Sequence, residues 1–172
     1  SNEFIKKKII KIIKKQTVSD VPIALSLSGG LDSNILLGNI NKPLKTYSAS
    51  FIYNNNKNLD SIFAAQRATE YKTEHNEINI SDDDFMNSLE LINDILEEPI
   101  GNENSVGNYF LSKNIKEKVL LTGDGGDEIF TGYNKYRSIY FFSILNKIKF
   151  LKFLKPYSKN KNLNRFFFSN SN

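Results

Sequence analysis

The 172-residue chain contains no cysteine. That absence excludes disulfides and thiolate metal centres, and it suits a reducing compartment. No stretch approaches the roughly 18 consecutive apolar residues of a membrane-spanning helix, and the opening Ser1-Asn2-Glu3 is not a secretory leader. A soluble, cytoplasmic protein without a membrane partner is expected. Histidine is scarce too: His75 is the only one. It stands apart in sequence from the Gly-rich segments described below, at the entrance to an expected strand, so a satisfied structural role is expected of it. With 40% hydrophobic residues the length suits one domain with a proper core.

The net charge is +4 and the sequence pI about 9.1. Lys6, Lys7, Lys8, Lys11, Lys14 and Lys15 alternate with Ile5, Ile9, Ile12 and Ile13 at helical spacing, which predicts an amphipathic helix within 1–18 carrying a solvated lysine face. A second basic group follows Arg137. Neither cluster has a helix-turn-helix or an RNA-recognition aromatic pattern, so nucleic acid is not the expected partner.

Ser28-Gly29-Gly30-Leu31-Asp32-Ser33 follows the apolar run Ile23-Ala24-Leu25-Ser26-Leu27 and precedes Asn34-Ile35-Leu36-Leu37. A strand entering a Gly-rich turn and then a helix presents backbone N–H groups and a helix N-terminus, which suit phosphate oxygens. Two phosphate-loop types are excluded by what is missing. No lysine occurs between Ser26 and Lys42, so the G-x-x-x-x-G-K-[ST] pattern fails. Gly29 and Gly30 are adjacent, so the G-x-G-x-x-G pattern fails as well. Two hydroxyls and two glycines around Asp32 suit an anion that shares its charge with a divalent metal held by that carboxylate. An ordinary Gly-containing strand-to-helix turn is the competing reading. Leu120-Leu121-Thr122-Gly123-Asp124-Gly125-Gly126-Asp127-Glu128 repeats the device, an apolar strand running into a Gly-rich acidic loop.

Hydrophobic periodicity predicts strand 23–27, helix 33–40, strand 45–51, helix 60–71, strand 76–80, helix 82–96, strand 118–122 and a helix from about 128. This alternation predicts an α/β fold: a Rossmann-like parallel sheet with helices on both faces. Asn54 to Asn58 reads as a polar loop, and Asp60 as the cap of the next helix. Ser81 followed by Asp82, Asp83 and Asp84 reads as helix capping, not as a metal cluster. With right-handed crossovers a fourth strand returning beside the first creates a switch point between 23–27 and 118–122, where ligands bind. Asp32 and Asp127 are then candidates to face one Mg²⁺ together with substrate phosphates.

The first loop resembles that of the pyrophosphate-loop (N-type) ATP pyrophosphatase superfamily, the adenine nucleotide alpha-hydrolase-like fold. Taken with the second loop, with Ile129-Phe130-Thr131-Gly132-Tyr133, with Ser19-Asp20-Val21-Pro22, and with Glu97-Glu98-Pro99-Ile100 and Tyr109-Phe110-Leu111-Ser112, the sequence is similar to the synthetase domain of glutamine-dependent asparagine synthetases over roughly residues 4 to 140. The resemblance implies adenylation of a carboxylate by ATP with release of pyrophosphate, then attack by ammonia to give amide and AMP, with ATP and Mg²⁺ required. It implies phosphate binding by Ser28, Gly29, Gly30, Leu31 and Ser33, adenosine contacts at Leu27 and Ala49 largely through backbone, close nucleotide approach at Gly123, and metal contacts at Asp32 and Asp127. Asp124 takes an acid/base or orienting role near the acyl group. Glu128 and Tyr133 orient these groups, although Glu128 serves equally as a helix-dipole partner and Tyr133 as core.

Departures from the family pattern also carry expectations. Lacking cysteine, the chain has no counterpart of the glutaminase nucleophile, so ammonia comes from a separate domain or subunit. Beyond Tyr136 nothing matches the family's large helical region, so the chain is expected to be truncated before it. Instead 141–172 forms a basic, aromatic tail that folds back, self-associates or stays exposed. The synthetase-like domain is expected at 19–140. Gly107 stands where the family often has Pro. A nucleotide-binding module without turnover, or a superfamily relative that modifies tRNA, are the alternatives.

Overall fold

A computed structural model of the chain describes residues 2–54 and 56–147. The chain divides into two compact units between Asp124 and Gly125.

The first unit opens with α1 (Asn2–Gln16), followed by β1 (Ile23–Ser26), α2 (Leu31–Asn39), β2 (Lys45–Tyr53), β3 (Asn56–Lys57), α3 (Leu59–Glu70), β4 (Glu74–Ile80), α4 (Asp82–Leu96), α5 (Asn104–Asn114) and β5 (Val119–Leu121). β4, β2, β1 and β5 lie side by side in that order, all parallel, and β3 adds a short antiparallel hairpin to the end of β2. The predicted switch point is therefore present: β1 pairs with β2 on one side and with β5 on the other.

Alternation along the strands sends side chains to two cores. Leu25 and Leu27 pack with Leu37 of α2 and with Ala64 and Ala68 of α3. Ala24, Tyr47 and Leu111 of α5 build one cluster on the opposite face, and Ile80, Ile92 of α4 and Val106 of α5 build another. Each fully buried Leu or Ile of this kind contributes ~1.5–3 kcal/mol relative to exposure. Helices thus cover both faces of a parallel sheet, as the sequence predicts.

Local chemistry explains the differences from the sequence reading. α5 was not expected, and it buries Val106, Gly107 and Leu111. β3 lies inside the expected Asn-rich loop. α3 starts one residue before Asp60; its N-cap is Asn58, with no side-chain cap bond, so Asp60 is a first-turn residue and not the cap. Ser81 does cap α4 in a capping box with Asp84, and those hydrogen bonds hold the Asp84 carboxyl below its usual range. α1 forms as predicted but buries Ile13, with Ile9 and Ile10 partly covered; Ile5 and Ile12 are each 45% exposed. β4 extends to Glu74, which places His75 within the strand and not at its entrance. There its Nδ1 meets Thr46 Oγ1 at 2.9 Å and its Nε2 meets Ser48 Oγ at 3.2 Å, the expected structural role.

In the second unit the helix expected from about 128 is two helices, α6 (Gly126–Phe130) and α7 (Asn134–Lys147). Thr131, at φ 56°, Gly132 and Tyr133 separate them. Within α7, Tyr140 and Phe141 are exposed. The rest of the expected tail, 148–172, lies outside the described residues.

Candidate functional site

The first loop is a turn held by its own two hydroxyls. Ser28 Oγ and Ser33 Oγ lie 3.0 Å apart; Ser33 Oγ accepts from the Ser28 N–H at 3.2 Å, and Ser28 Oγ accepts from the Gly30 N–H at 3.2 Å. Asn34 Nδ2 donates to the carbonyl of Gly30 at 2.6 Å and reaches that of Ser28 at 3.3 Å. Ser33 is 3% exposed, so the bonds of its hydroxyl are partly shielded from competing water, whereas those of the Gly30 N–H and of Asn34 are exposed.

α2 begins directly behind this turn, with Gly30 as N-cap and no side chain capping it. An N-terminal helix turn without a side-chain cap offers its N–H groups and the positive end of its dipole to an anion. The glycines keep the turn small. A Cβ at Gly29 would stand 2.9 Å from Phe63 Cβ and 3.2 Å from Asp60 Oδ1, so the first turn of α3 packs directly behind the loop. Asp32 is half-buried in the first turn of α2. Leu27 is buried and its N–H donates to the Tyr47 carbonyl at 2.8 Å, so only its backbone can meet a ligand. Ala49 lies on β2, packed between the two clusters of the opposite face.

The second loop leaves β5 beside the first. Its Gly123 is where the two make contact: a Cβ there would stand 2.9 Å from Ser33 N and 3.1 Å from Asp32 Cβ. The obstacle is backbone at the start of α2, which cannot swing aside as a side chain does. Only glycine lets the second strand tip approach the Asp32–Ser33 turn this closely. Asp124 follows, exposed.

The remaining acidic candidates belong to the second unit. Gly125, at φ 89°, is the N-cap of α6 in a conformation that glycine adopts without strain. The Asp127 carboxylate lies against Gly132, where any Cβ would overlap it, and the Gly132 N–H donates to the Asp127 carbonyl at 3.0 Å. Tyr133 Oη donates to Glu128 Oε1 at 2.8 Å. This bond holds the Glu128 carboxyl below its usual range and pushes the Tyr133 phenol up to about 12. At neutral pH Glu128 is therefore ionised and Tyr133 protonated, and one hydrogen bond fixes the pair. Lys135 Nζ sits 4.7 Å over the Tyr133 ring.

The structure thus brings Leu27, Ser28, Gly29, Gly30, Leu31, Asp32, Ser33 and Gly123 to one end of the sheet, and joins Glu128 to Tyr133 separately. Sequence reasoning missed Asp60 and Phe63 as the backing of the loop, and Gly132 as the neighbour of Asp127. The signal for Gly132 was available, a second glycine closely following the acidic loop. Among the described residues no group of three or more acidic or histidine side chains is arranged to hold a metal ion. A donor set of fewer than three such side chains fits Mg²⁺ only when substrate phosphates complete its coordination.

The sequence matches the family described as asparagine synthase over residues 5–169, past the expected limit near 140. Among individual relatives, the chain is 30% identical over 155 residues to a putative glutamine-hydrolysing asparagine synthetase 2 of Methanocaldococcus jannaschii, covering 86% of this chain and 30% of that protein. It is 34% identical over 124 residues to glutamine-hydrolysing asparagine synthetase 1 of Bacillus subtilis, covering 69% of this chain and 19% of that protein. The glutamine-hydrolysing enzyme of Rattus norvegicus is 31% identical over 132 residues, 70% of this chain and 24% of the rat protein. The chain spans less than a third of the length of these relatives. No described helix is long and apolar enough to cross a membrane. On the extent of the family match, which covers nearly its whole length, the chain belongs to the asparagine synthase family.

Proposed function

We propose that this chain is the ATP-binding part of an amide-forming synthetase that activates a small carboxylic acid as its acyl-adenylate. A carboxylate oxygen attacks the α-phosphorus of ATP and pyrophosphate leaves; ammonia then attacks the acyl carbon and AMP leaves. The observation that carries this reading is the contact of the two strand-tip loops through Gly123. It sets an uncapped helix start, two interlocked serines and Asp32 beside the loop that bears Asp124.

In this reading the first-turn amides of α2, with Ser28, Gly29, Gly30, Leu31 and Ser33, hold the pyrophosphate half of ATP and stabilise its charge as it departs. The backbones at Leu27 and Ala49 meet the adenosine. Asp32 and Asp127 are the carboxylates assigned to Mg²⁺, which when bound neutralises phosphate charge. Asp124 orients the acyl group, and the ionised Glu128 with its phenol partner Tyr133 supplies a fixed acceptor nearby in the chain. Ammonia is supplied by a glutaminase domain or subunit, and the relatives' description as glutamine-hydrolysing supports that assignment.

The competing reading is a nucleotide-binding module without turnover. Incubation with ATP, Mg²⁺ and a panel of small carboxylic acids separates the two. Acid-dependent exchange of label between pyrophosphate and ATP is the expected result; nucleotide binding without exchange for any acid supports the module instead.

A further inference from the structure

We infer that the outward face of α1 is a docking surface for an anionic lipid membrane. The inference does not rest on the synthetase reading. Charge along the chain is sharply segregated. α1 carries six lysines against one glutamate, +5, whereas residues 17–147 carry eleven basic against eighteen acidic side chains, −7. The basic pI of the whole chain therefore does not describe its body, which is acidic.

The lysines of α1 are exposed, and the helix holds itself to the body by a narrow seam: Ile13 is buried, Ile9 and Ile10 are partly covered, and α1 packs against α2. The outward side is not purely polar. Phe4 is 65% exposed, and Ile5 and Ile12 are 45% exposed each. Phe4 and Ile12 are two turns apart with Lys8 between them, and Ile5 is one heptad before Ile12, so the three line one stripe edged by ammonium groups. Lys8 Nζ already lies 5.8 Å over the Phe4 ring. Lys7 meets Glu3 at 3.8 Å in an exposed pair that salt and water weaken.

Lysines interleaved with exposed Phe and Ile on one helix match the lipid interface, where ammonium groups reach the headgroups and the apolar side chains enter the acyl boundary. Nucleic acid phosphates would engage the lysines but leave Phe4, Ile5 and Ile12 in water. The rest of the first unit, residues 17–124, carries eight basic against sixteen acidic side chains and is repelled by an anionic surface, so that unit meets the surface with α1 foremost. Such a helix lies on the membrane, so no spanning run is needed. Residues 148–172 repeat the composition in sequence: six basic and no acidic side chains among Phe150-Leu151, Phe153-Leu154 and Phe166-Phe167-Phe168.

The chain has no tryptophan, so Phe4→Trp in the full chain introduces a lone indole on the stripe. Vesicles of phosphatidylcholine alone are compared with vesicles containing phosphatidylglycerol, at physiological ionic strength. A blue shift of the indole and sedimentation with the anionic vesicles at least ~10-fold tighter than with neutral ones are expected. Ile5→Ser with Ile12→Ser, and separately Lys7→Gln with Lys11→Gln and Lys14→Gln, should each weaken that binding at least ~10-fold. Thermal melts establish that both variants fold; the substituted side chains are exposed. Binding that ignores the isoleucines, no preference for anionic vesicles, preferential binding to RNA, or an indole already shifted in a dimer without vesicles would each overturn the proposal.

Discussion

At the amino ends of β2 and β4, Lys45 Nζ lies 3.3 Å from Glu74 and 3.5 Å from Glu117, and Tyr47 Oη donates to Glu117 at 2.8 Å. At the carboxyl ends of β1 and β5, the same sheet carries serines, glycines and a helix start without a side-chain cap. The first end consumes its polar groups on one another. The Glu117 side chain is 7% exposed, and the Tyr47 hydrogen bond, helped by Lys45, holds its carboxyl below the usual range; burial first and then Glu117 push the Tyr47 phenol up. In the hollow there, about 220 Å³ and lined by Lys45, Tyr47, Glu74, Asn76 and Lys116, Lys45 and Glu74 are already paired with each other. At the other end hydrogen bonds shape the turn but leave the helix start open. Polar residues at one end of the sheet hold the fold, and at the other they leave uncapped the helix start to which the proposed function assigns an anion.

The sharpest way to break this contrast is Gly123→Ala. Because the added methyl meets the backbone nitrogen of Ser33, stability should fall by ~1–3 kcal/mol. In chemical denaturation this appears as a lower midpoint, and nucleotide binding should weaken at least ~10-fold as the α2 turn is displaced. Stability and binding both unchanged would mean that the two loops do not depend on each other. Ser33→Ala follows. It removes the hydroxyl that joins the Ser28 N–H to the loop carbonyls, at a cost of ~1–2 kcal/mol, again read by denaturant midpoint.

At the structural end, Glu117→Gln should cost about 1 kcal/mol and leave nucleotide binding unchanged. The folded carboxyl titrates below its unfolded value, so its contribution is complete above about pH 4.3 and is lost as pH falls through the lowered folded value. Acid unfolding of the variant should therefore be shallower in that window. His75 gives the smallest effect. Burial, outweighing Glu77, lowers its pKa. The unfolded chain thus takes up the proton first, and stability should decline as pH drops below about 6.5. His75→Gln should flatten the melting temperature between neutral and mildly acidic pH; an unchanged slope would place the titrating group elsewhere.

Most of the first unit was legible because each strand reads as a short apolar run and each predicted helix as a periodic one. Helix α5 was not, since Asn104, Ser105, Gly107 and Asn108 are weak helix formers and its N-cap Glu103 makes no side-chain cap bond. Tertiary burial of Val106 and Leu111 decides it, with Gly107 packed toward Ala49 and Phe51 at a distance where even an added Cβ would make ordinary contact, 3.5 Å. The β3 hairpin rests on Asn54 at φ 48° and two strand residues, too short for periodicity to register. In α1 the isoleucines recur on more than one face, and the sequence does not say which of them meets α2. For the site, the loop residues were legible from glycine and hydroxyl spacing. The backing of Gly29 by Asp60 and Phe63 was not, because it depends on how α3 returns over the sheet.

The central claim is that the open carboxyl end of the sheet holds ATP through the loop that carries Asp32. Isothermal titration of the full chain with a non-hydrolysable ATP analogue, with and without Mg²⁺, tests it most directly. The account predicts Mg²⁺-dependent heat that Asp32→Asn weakens by at least ~10-fold while Glu117→Gln leaves it intact. Equal binding by wild type and Asp32→Asn, or loss of binding only on replacing Glu117, would contradict it.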